Sequence, residues 1–140
     1  MRGLLAFVAL GLAAAAVAVG QSQSAPDTRE AKRSIGIVKT AEDHGVVSLT
    51  VKITGWKMYP GLVGKKAKAG GGHWRIFVNG RYNNLSTSAT RGSTNSRRAL
   101  APGSYTIDAR LVENNGRELR PAVRSKRVTV TVEEPAETTE

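Results

Sequence analysis

The segment from Val47 to Thr54 reads Val-Ser-Leu-Thr-Val-Lys-Ile-Thr, with an apolar side chain at every second position. Successive side chains of a β-strand point to opposite sides, so this pattern predicts a strand with one buried and one solvated face. Three further segments alternate in the same way: Trp74 to Val78, Tyr105 to Val112 and Val128 to Val132. We therefore expect these four strands to bury one face each in a common core.

Turn signals separate the strands. Asn79-Gly80 predicts a type I′ hairpin, because both central residues of that turn need positive φ, and Arg81 to Leu85 should pair back. Asp43-His44-Gly45 and Asn114-Asn115-Gly116 are interpreted as further turns. Shorter strands are expected at Ile35 to Ile37 and at Ala99-Leu100. No apolar period of 3.6 residues follows Val19, so the pattern predicts an all-β sandwich or barrel.

The N-terminus has the layout of an export signal. Arg2 precedes an uncharged apolar run from Gly3 to Val19, and the sequence then turns polar. This layout predicts a signal-peptide helix over residues 1–20, cleaved after the small residues that end the run, and hence a secreted, periplasmic or cell-envelope protein. No membrane span is then expected in the mature chain. The alternative is a retained single-span anchor, for which the run has the minimum length.

The remaining domain boundaries follow from composition. Residues 21–33 are polar and predict a flexible linker. Residues 34–134 hold all the strand patterns and should form the β-sandwich domain. Residues 135–140 have nothing to bury and predict a disordered acidic tail.

The chain has a large excess of basic over acidic residues. The 140 residues carry 21 Lys and Arg against 11 Asp and Glu, a net charge of +10, and there is no cysteine. The absence of cysteine excludes a disulfide scaffold and a thiolate-ligated metal site. Between Lys52 and Arg127 there are 16 basic and 3 acidic residues. A basic body of this kind suits a partner that is an anionic polymer, such as a wall polymer, a polysaccharide or extracellular DNA, or else a protein.

Two segments carry the candidate basic surface. Lys57 to Gly72 shows no strand pattern and carries four lysines and no acid, which is typical of a functional or a disordered loop, with Gly70 to Gly72 as a flexible hinge. Ser86 to Arg98 is rich in Ser, Thr and Arg, which suits either an anion contact or a solvated edge strand. The residues predicted to bind a polyanion are Lys57, Lys65, Lys66, Lys68, Arg75, Arg81, Arg97 and Arg98.

Two motifs resemble a known class of domain. Leu100-Ala-Pro-Gly-Ser-Tyr105 is similar to the E–F corner of immunoglobulin-like and fibronectin type III domains, in which a Tyr hydroxyl bonds back across the turn. Gly72-His73-Trp74 through Asn79-Gly80 resembles the Gly-His-x-His…Asp-Gly pattern of small exported bacterial β-sandwich domains of unassigned role. The resemblance implies an immunoglobulin-like antiparallel β-sandwich of about seven strands. The chain also departs from that pattern, since Arg75 stands at the second His and Asn79 at the Asp, and Gly116 stands where a later motif of these domains usually has a His.

Few residues of the sequence support metal binding or catalysis. His44 and His73 are the only histidines, and neither has a second His or a carboxylate at the spacing of a metal face. His73 is expected to be a partly exposed strand residue. The alternative function for the chain is a copper- or zinc-handling domain, in which copper could also recruit Met58 as a ligand. The chain has no nucleophile motif, so we expect neither an enzyme nor a cofactor.

Overall fold

Eight β-strands and two single-turn 3₁₀ helices form the part of the chain that the computed structural model describes, residues 32–135. The strands are β1 (Ser34–Asp43), β2 (Val46–Thr54), β3 (Lys57–Met58), β4 (Gly71–Val78), β5 (Arg81–Ser86), β6 (Arg91–Ser93), β7 (Gly103–Glu113) and β8 (Val128–Val132), and the 3₁₀ helices are Pro60–Leu62 and Ser96–Arg98. The all-β prediction is confirmed. In this part of the chain no helix has the length and apolarity needed to cross a bilayer. The predicted signal peptide, the linker up to residue 31 and the tail from residue 136 lie outside the described residues.

The strands form two sheets that pack face to face. The first sheet has the order β1-β2-β6, and the second has the order β3-β4-β7-β8 with β5 also paired to β4. One edge of β4 pairs with β7. The other edge is shared by two strands: β3 pairs with Gly71–Gly72, and β5 pairs with Trp74–Val78. The sandwich prediction is confirmed with two differences. There are eight strands, and β3 runs parallel to β4 where an antiparallel arrangement was expected.

The core lies between the apolar faces of the alternating strands. The predicted core residues Val47, Leu49, Val51, Trp74, Ile76, Val78, Ile107 and Leu111 are all buried, and Tyr105 packs against them half-buried. Trp74 is fully buried, and its Nε1 donates a hydrogen bond to the Ser88 carbonyl at 2.7 Å. The burial of this indole together with its polar atom is what a large aromatic core residue requires.

The predicted hairpin turns are present. His44 and Gly45 have φ of 51° and 82°, and Asn79 and Gly80 have φ of 51° and 81°, the positive pair that a type I′ turn requires. The side chain of Asn79 also accepts a hydrogen bond from the Thr106 amide at 2.9 Å, which ties this turn to β7. Both tight turns could therefore be predicted from their residue types.

Of the two predicted short strands, one is longer than expected and the other is absent. The first is longer than expected, because β1 extends for ten residues, with a bulge between Ile37 and Lys39 that carries Val38 out of register. The second is absent, since the Leu100 amide donates to the Gly45 carbonyl at 2.8 Å instead of joining a ladder. Beside it, the Tyr105 hydroxyl donates to the Ala101 carbonyl at 2.6 Å, as the corner motif predicted.

Two of the three glycines predicted to form a hinge, Gly71 and Gly72, are packed within a strand. Gly71 and Gly72 are buried and begin β4. A Cβ on Gly71 would strike the Lys57 carbonyl and the Tyr59 ring, and one on Gly72 would strike the Val112 carbonyl. Glycine is required here because neighbouring chain segments approach too closely for a side chain, so the prediction of a flexible hinge was wrong.

Candidate functional site

Residues 57–70, here called the lysine loop, are fastened to the second sheet by backbone hydrogen bonds. The Lys57 amide donates to the Gly70 carbonyl at 3.0 Å, and the Tyr59 amide donates to the Gly72 carbonyl at 2.9 Å. Further along, the Gly64 amide donates to the Asn114 carbonyl at 2.7 Å. The segment expected to be without strand structure therefore contains β3 and the first 3₁₀ helix, and the sheet sets its path.

The asparagine at the end of β7 holds the loop a second time. Asn114 is fully buried, and its Nδ2 donates to the Lys66 carbonyl at 3.1 Å. Because both the backbone and the side chain of Asn114 bind the loop, the exposed lysines on either side of this anchor have a defined position relative to the sheet.

The four lysines of the loop lie together at one end of the sandwich, which we call the basic end. Lys57, Lys65, Lys66 and Lys68 are all exposed. The ammonium groups of Lys57 and Lys68 lie 5.6 Å and 4.9 Å from the centroid of the Tyr59 ring, within the range of cation–π attraction. Tyr59 thus gathers two of the positive charges. The structure brings these four predicted residues together on one surface.

The predicted arginines lie elsewhere. Lys57 pairs with Gly71 at one end of β4, and Arg81 pairs with Val78 at the other end, about 23 Å further along the strand. Arg97 and Arg98 belong to the second 3₁₀ helix, which is followed by the hydrogen bond between Leu100 and the Gly45 turn. The eight predicted residues therefore do not form one continuous patch.

The end of the sandwich with the two type I′ turns, here called the mixed end, carries both signs of charge. Glu42 and Asp43 lie at the end of β1, and Glu133 and Glu134 follow β8 at the same end. Their carboxylates offset the charge of Arg81, Arg97 and Arg98. Electrostatic attraction for a polyanion is consequently weaker at the mixed end than at the basic end.

Arg75 has a packing role on the outer face of the second sheet. Its guanidinium lies 4.4 Å from the centroid of the Tyr82 ring, and a Cβ on Gly116 would strike it. Its Nε is buried and has no hydrogen-bond partner among residues 32–135. The side chain is therefore confined between an aromatic ring and a turn.

A second arginine is confined beside it. Arg110 lies 3.7 Å from the centroid of the Phe77 ring, and its Nε donates to the Asp108 carboxylate at 2.7 Å. The outer face of the second sheet is thus a packed layer of rings and guanidinium groups, only partly open to solvent.

His73 is buried, so the expectation of a partly exposed residue was wrong. It is 1% exposed, and neither ring nitrogen has a hydrogen-bond partner within residues 32–135. The 3₁₀ helix of the lysine loop packs beside β4, a tertiary contact that strand periodicity could not indicate. Burial lowers the pKa of His73 below its usual value, and the nearby charge of Arg75 lowers it further.

The residues proposed for metal binding are not brought together. His44 lies in a turn at the mixed end, where its Nδ1 is 2.6 Å from the Asp43 carboxylate, and both side chains are exposed. Met58 packs against the core. Across the described range of the chain, no group of three or more His, Cys, Asp or Glu is placed to hold a metal ion.

Two grooves were not predicted. One lies on the outer face of the first sheet, where Thr50 pairs with Lys39 on one side and Arg91 on the other, and has a volume of about 490 Å³. The other, here called the Trp56 groove, has a volume of about 190 Å³ and lies beside the lysine loop; it is lined by Arg33, Trp56, Ala67, Lys68, Ala69, Gly70, Glu113 and Leu119. Its residues are far apart in the chain, so no local sequence signal could have identified it.

Comparison with known proteins adds no assignment: no family model matches the chain, and neither the curated proteins nor the solved structures contain a significant match.

Proposed function

We propose that this chain is an exported, non-enzymatic immunoglobulin-like binding module of the cell envelope, and that its basic end binds an anionic polymer. The observation that carries the proposal is the placement of Lys57, Lys65, Lys66 and Lys68 on one exposed loop that the sheet holds in position. A loop fixed on a rigid scaffold is a common location for a binding site.

The topology supports an immunoglobulin-like assignment. The order β1-β2-β6 corresponds to an A-B-E sheet, and the order β8-β7-β4-β5 corresponds to a G-F-C sheet extended by C′. The hydrogen bond from Tyr105 to Ala101 lies at the start of the strand equivalent to F, where a tyrosine corner is expected. Domains of this architecture commonly bind partners through the loops at the ends of the sandwich.

The electrostatics support a polyanion as the partner. Exposed lysines attract phosphates, sulfates or carboxylates over a range of about 8 Å at physiological ionic strength. Tyr59 lies between Lys57 and Lys68 and is half-buried, so it offers little surface for stacking on unpaired bases. We therefore expect binding that depends on charge and not on nucleotide sequence.

The proposal assigns no catalytic role to the described residues. The Asp43–His44 pair is the one Asp–His contact in this part of the chain, and it is exposed in a tight turn. A hydrolytic site would need a nucleophile within hydrogen-bond reach of the histidine. The neighbouring side-chain contact of this turn is instead structural, from the Gly45 amide to Glu42.

The test compares two triple variants that remove the same charge from opposite ends. In one, Lys65, Lys66 and Lys68 are replaced by Gln, and in the other Arg81, Arg97 and Arg98 are replaced by Gln. Binding of the full chain to heparin, duplex DNA and isolated wall polymer is measured at several salt concentrations. The lysine variant should lose most of its affinity, and its slope of log K against log salt should fall by about 2–3.

The arginine variant is the matched control and should bind almost as the wild type does, because its residues lie at the mixed end. Equal losses in the two variants would show that only total charge matters. Unchanged binding of the lysine variant, with the fold intact, would refute the polyanion proposal and favour a protein partner.

A further inference from the structure

The groove on the outer face of the first sheet, here called the Thr50 groove, is flanked by two cations. Thr50 of β2 pairs with Lys39 of β1 and with Arg91 of β6, so these residues form one row across the sheet. In the next row Ser48 pairs with Ser93. All five residues line the groove, which has a volume of about 490 Å³. The groove therefore presents three hydroxyl groups and two positive charges.

A β-bulge brings Lys39 to this face of the sheet. The register of β1 against β2 shifts between Ile37 and Lys39, so that Lys39 pairs with Thr50. Without the shift, Lys39 would lie opposite the buried Leu49 and would face the core. Bulges are frequent beside binding and active sites, where they redirect a side chain. The bulge thus places a cation beside the Thr50 hydroxyl.

The backbone of Arg91 is held from two sides. Its amide donates to Ser88 Oγ at 3.0 Å, and its carbonyl accepts from Ser86 Oγ at 2.5 Å. The next residue, Gly92, packs against the Trp74 ring so closely that a Cβ would strike it. Because neighbouring residues of a strand face opposite ways, Arg91 points away from the core. The second cation therefore starts from a fixed position on the groove.

Both cations are available to a ligand. Lys39 and Arg91 are exposed, and neither forms an ion pair or a cation–π contact with any residue within 32–135. No carboxylate lines the groove. The nearest acids along β1 are Glu42 and Asp43, about 10 and 13 Å from Lys39 by strand geometry. These distances exceed the screening length of about 8 Å at physiological ionic strength, so the two positive charges are uncompensated.

We propose that the Thr50 groove binds a sugar phosphate through its phosphate monoester. Two uncompensated cations in one row match a group with two negative charges, and a phosphate monoester carries between about −1.5 and −2 at pH 7. A phosphodiester, a sulfate ester or a carboxylate carries only one. This site is separate from the basic end, and the inference does not depend on the proposed function.

The residues of the groove divide the ligand between them. The Arg91 guanidinium donates to two phosphate oxygens, while the Lys39 ammonium and the Thr50 hydroxyl donate to the remaining ones. Ser48 and Ser93 lie about 7 Å further along the strands, where their hydroxyls exchange hydrogen bonds with those of the sugar. The groove volume of about 490 Å³ lies within the range typical of small-molecule sites.

The experiment titrates the full chain with glucose 6-phosphate at pH 7.5 and follows the assigned backbone amide signals by NMR. The signals of Thr50, Arg91 and Ser93 should shift in a saturable way. Glucose 6-sulfate has the same sugar and a tetrahedral group with one charge, and it should bind at least about tenfold more weakly. Glucose, which has no anionic group, should bind more weakly still.

Three variants and a control test the assigned contacts. Lys39→Gln and Arg91→Gln should each weaken glucose 6-phosphate binding by about tenfold, because each removes a charge-assisted hydrogen bond. Thr50→Val keeps the β-branched shape and should weaken binding by about fivefold through the lost hydroxyl. Lys126→Gln removes one exposed charge beside the second sheet, outside both the groove and the basic end, and should bind as the wild type does.

The outcomes separate this inference from the proposed function. Equal binding of glucose 6-phosphate and glucose 6-sulfate would overturn the assignment of a phosphate monoester. Wild-type affinity in Lys39→Gln and Arg91→Gln would overturn the site itself. The variant with Lys65, Lys66 and Lys68 replaced should keep its affinity for glucose 6-phosphate, because none of these lysines lines the groove. Unchanged polymer binding in that variant would refute the proposed function alone.

Discussion

The two faces of β4 bury their side chains by different means. Trp74 and Ile76 point inward and are buried in the apolar core between the two sheets. His73 and Arg75 lie on the outer face, where the turn at Gly116 packs against the Arg75 guanidinium, and both keep polar atoms without partners among the described residues. The inner face therefore stabilises the fold through apolar burial, whereas the desolvated polar groups of the outer face destabilise it.

Truncation on the inner face should have the largest effect. Trp74→Ala removes a fully buried indole and its hydrogen bond to Ser88, and it should lower the free energy of unfolding by about 3–5 kcal/mol. Urea denaturation followed by circular dichroism measures the change. A melting temperature within a degree of the wild type would mean that the two faces of β4 are assigned the wrong way round.

A close backbone contact between β4 and β7 should have the next largest effect. Gly72→Ala places a methyl group against the Val112 carbonyl, with no flexible side chain that could move aside. We expect a loss of about 1–3 kcal/mol, as for other overpacked sites. Gly36→Ala is the control, since no atom lies within 4 Å of its added Cβ. Equal stability of the two variants would show that β4 and β7 can separate at little cost.

The outer face should make stability depend on pH through His73. Burial, and secondarily Arg75, lowers its pKa in the folded state below the usual 6.5, so the unfolded state binds more protons between these two values. Stability should therefore fall as the pH drops below about 6.5, and the loss should level off below the folded-state pKa.

Urea denaturation at pH 7.5 and pH 5.5 measures this effect in the wild type and in His73→Leu. His73→Leu should lose less stability on acidification than the wild type, because the buried imidazole is gone. The same acid response in His73→Leu would assign the pH dependence to other groups.

Strand β2 of the first sheet and the inner face of the second sheet could be predicted because both depend on local information. Period two identifies which side chains of β2, β4 and β7 face the core, and residues that tolerate positive φ identify the tight turns. The lysine loop was found for a similar reason, since length and composition mark it. Prediction failed where a segment is stabilised by distant partners, as for Leu100 bonded to Gly45 and for Gly72 packed against Val112.

The sequence by itself determined the all-β sandwich, the core and the positive charge, because alternation, turn residues and composition act within a few neighbouring positions. Only the tertiary structure decided that the lysines gather at one end, while Arg81, Arg97 and Arg98 lie at the other. It also decided that His73 is buried and that Arg33, Trp56, Lys68 and Glu113 share a groove. These relations join residues far apart in the chain, and strand order and register, which set them, cannot be inferred from local patterns.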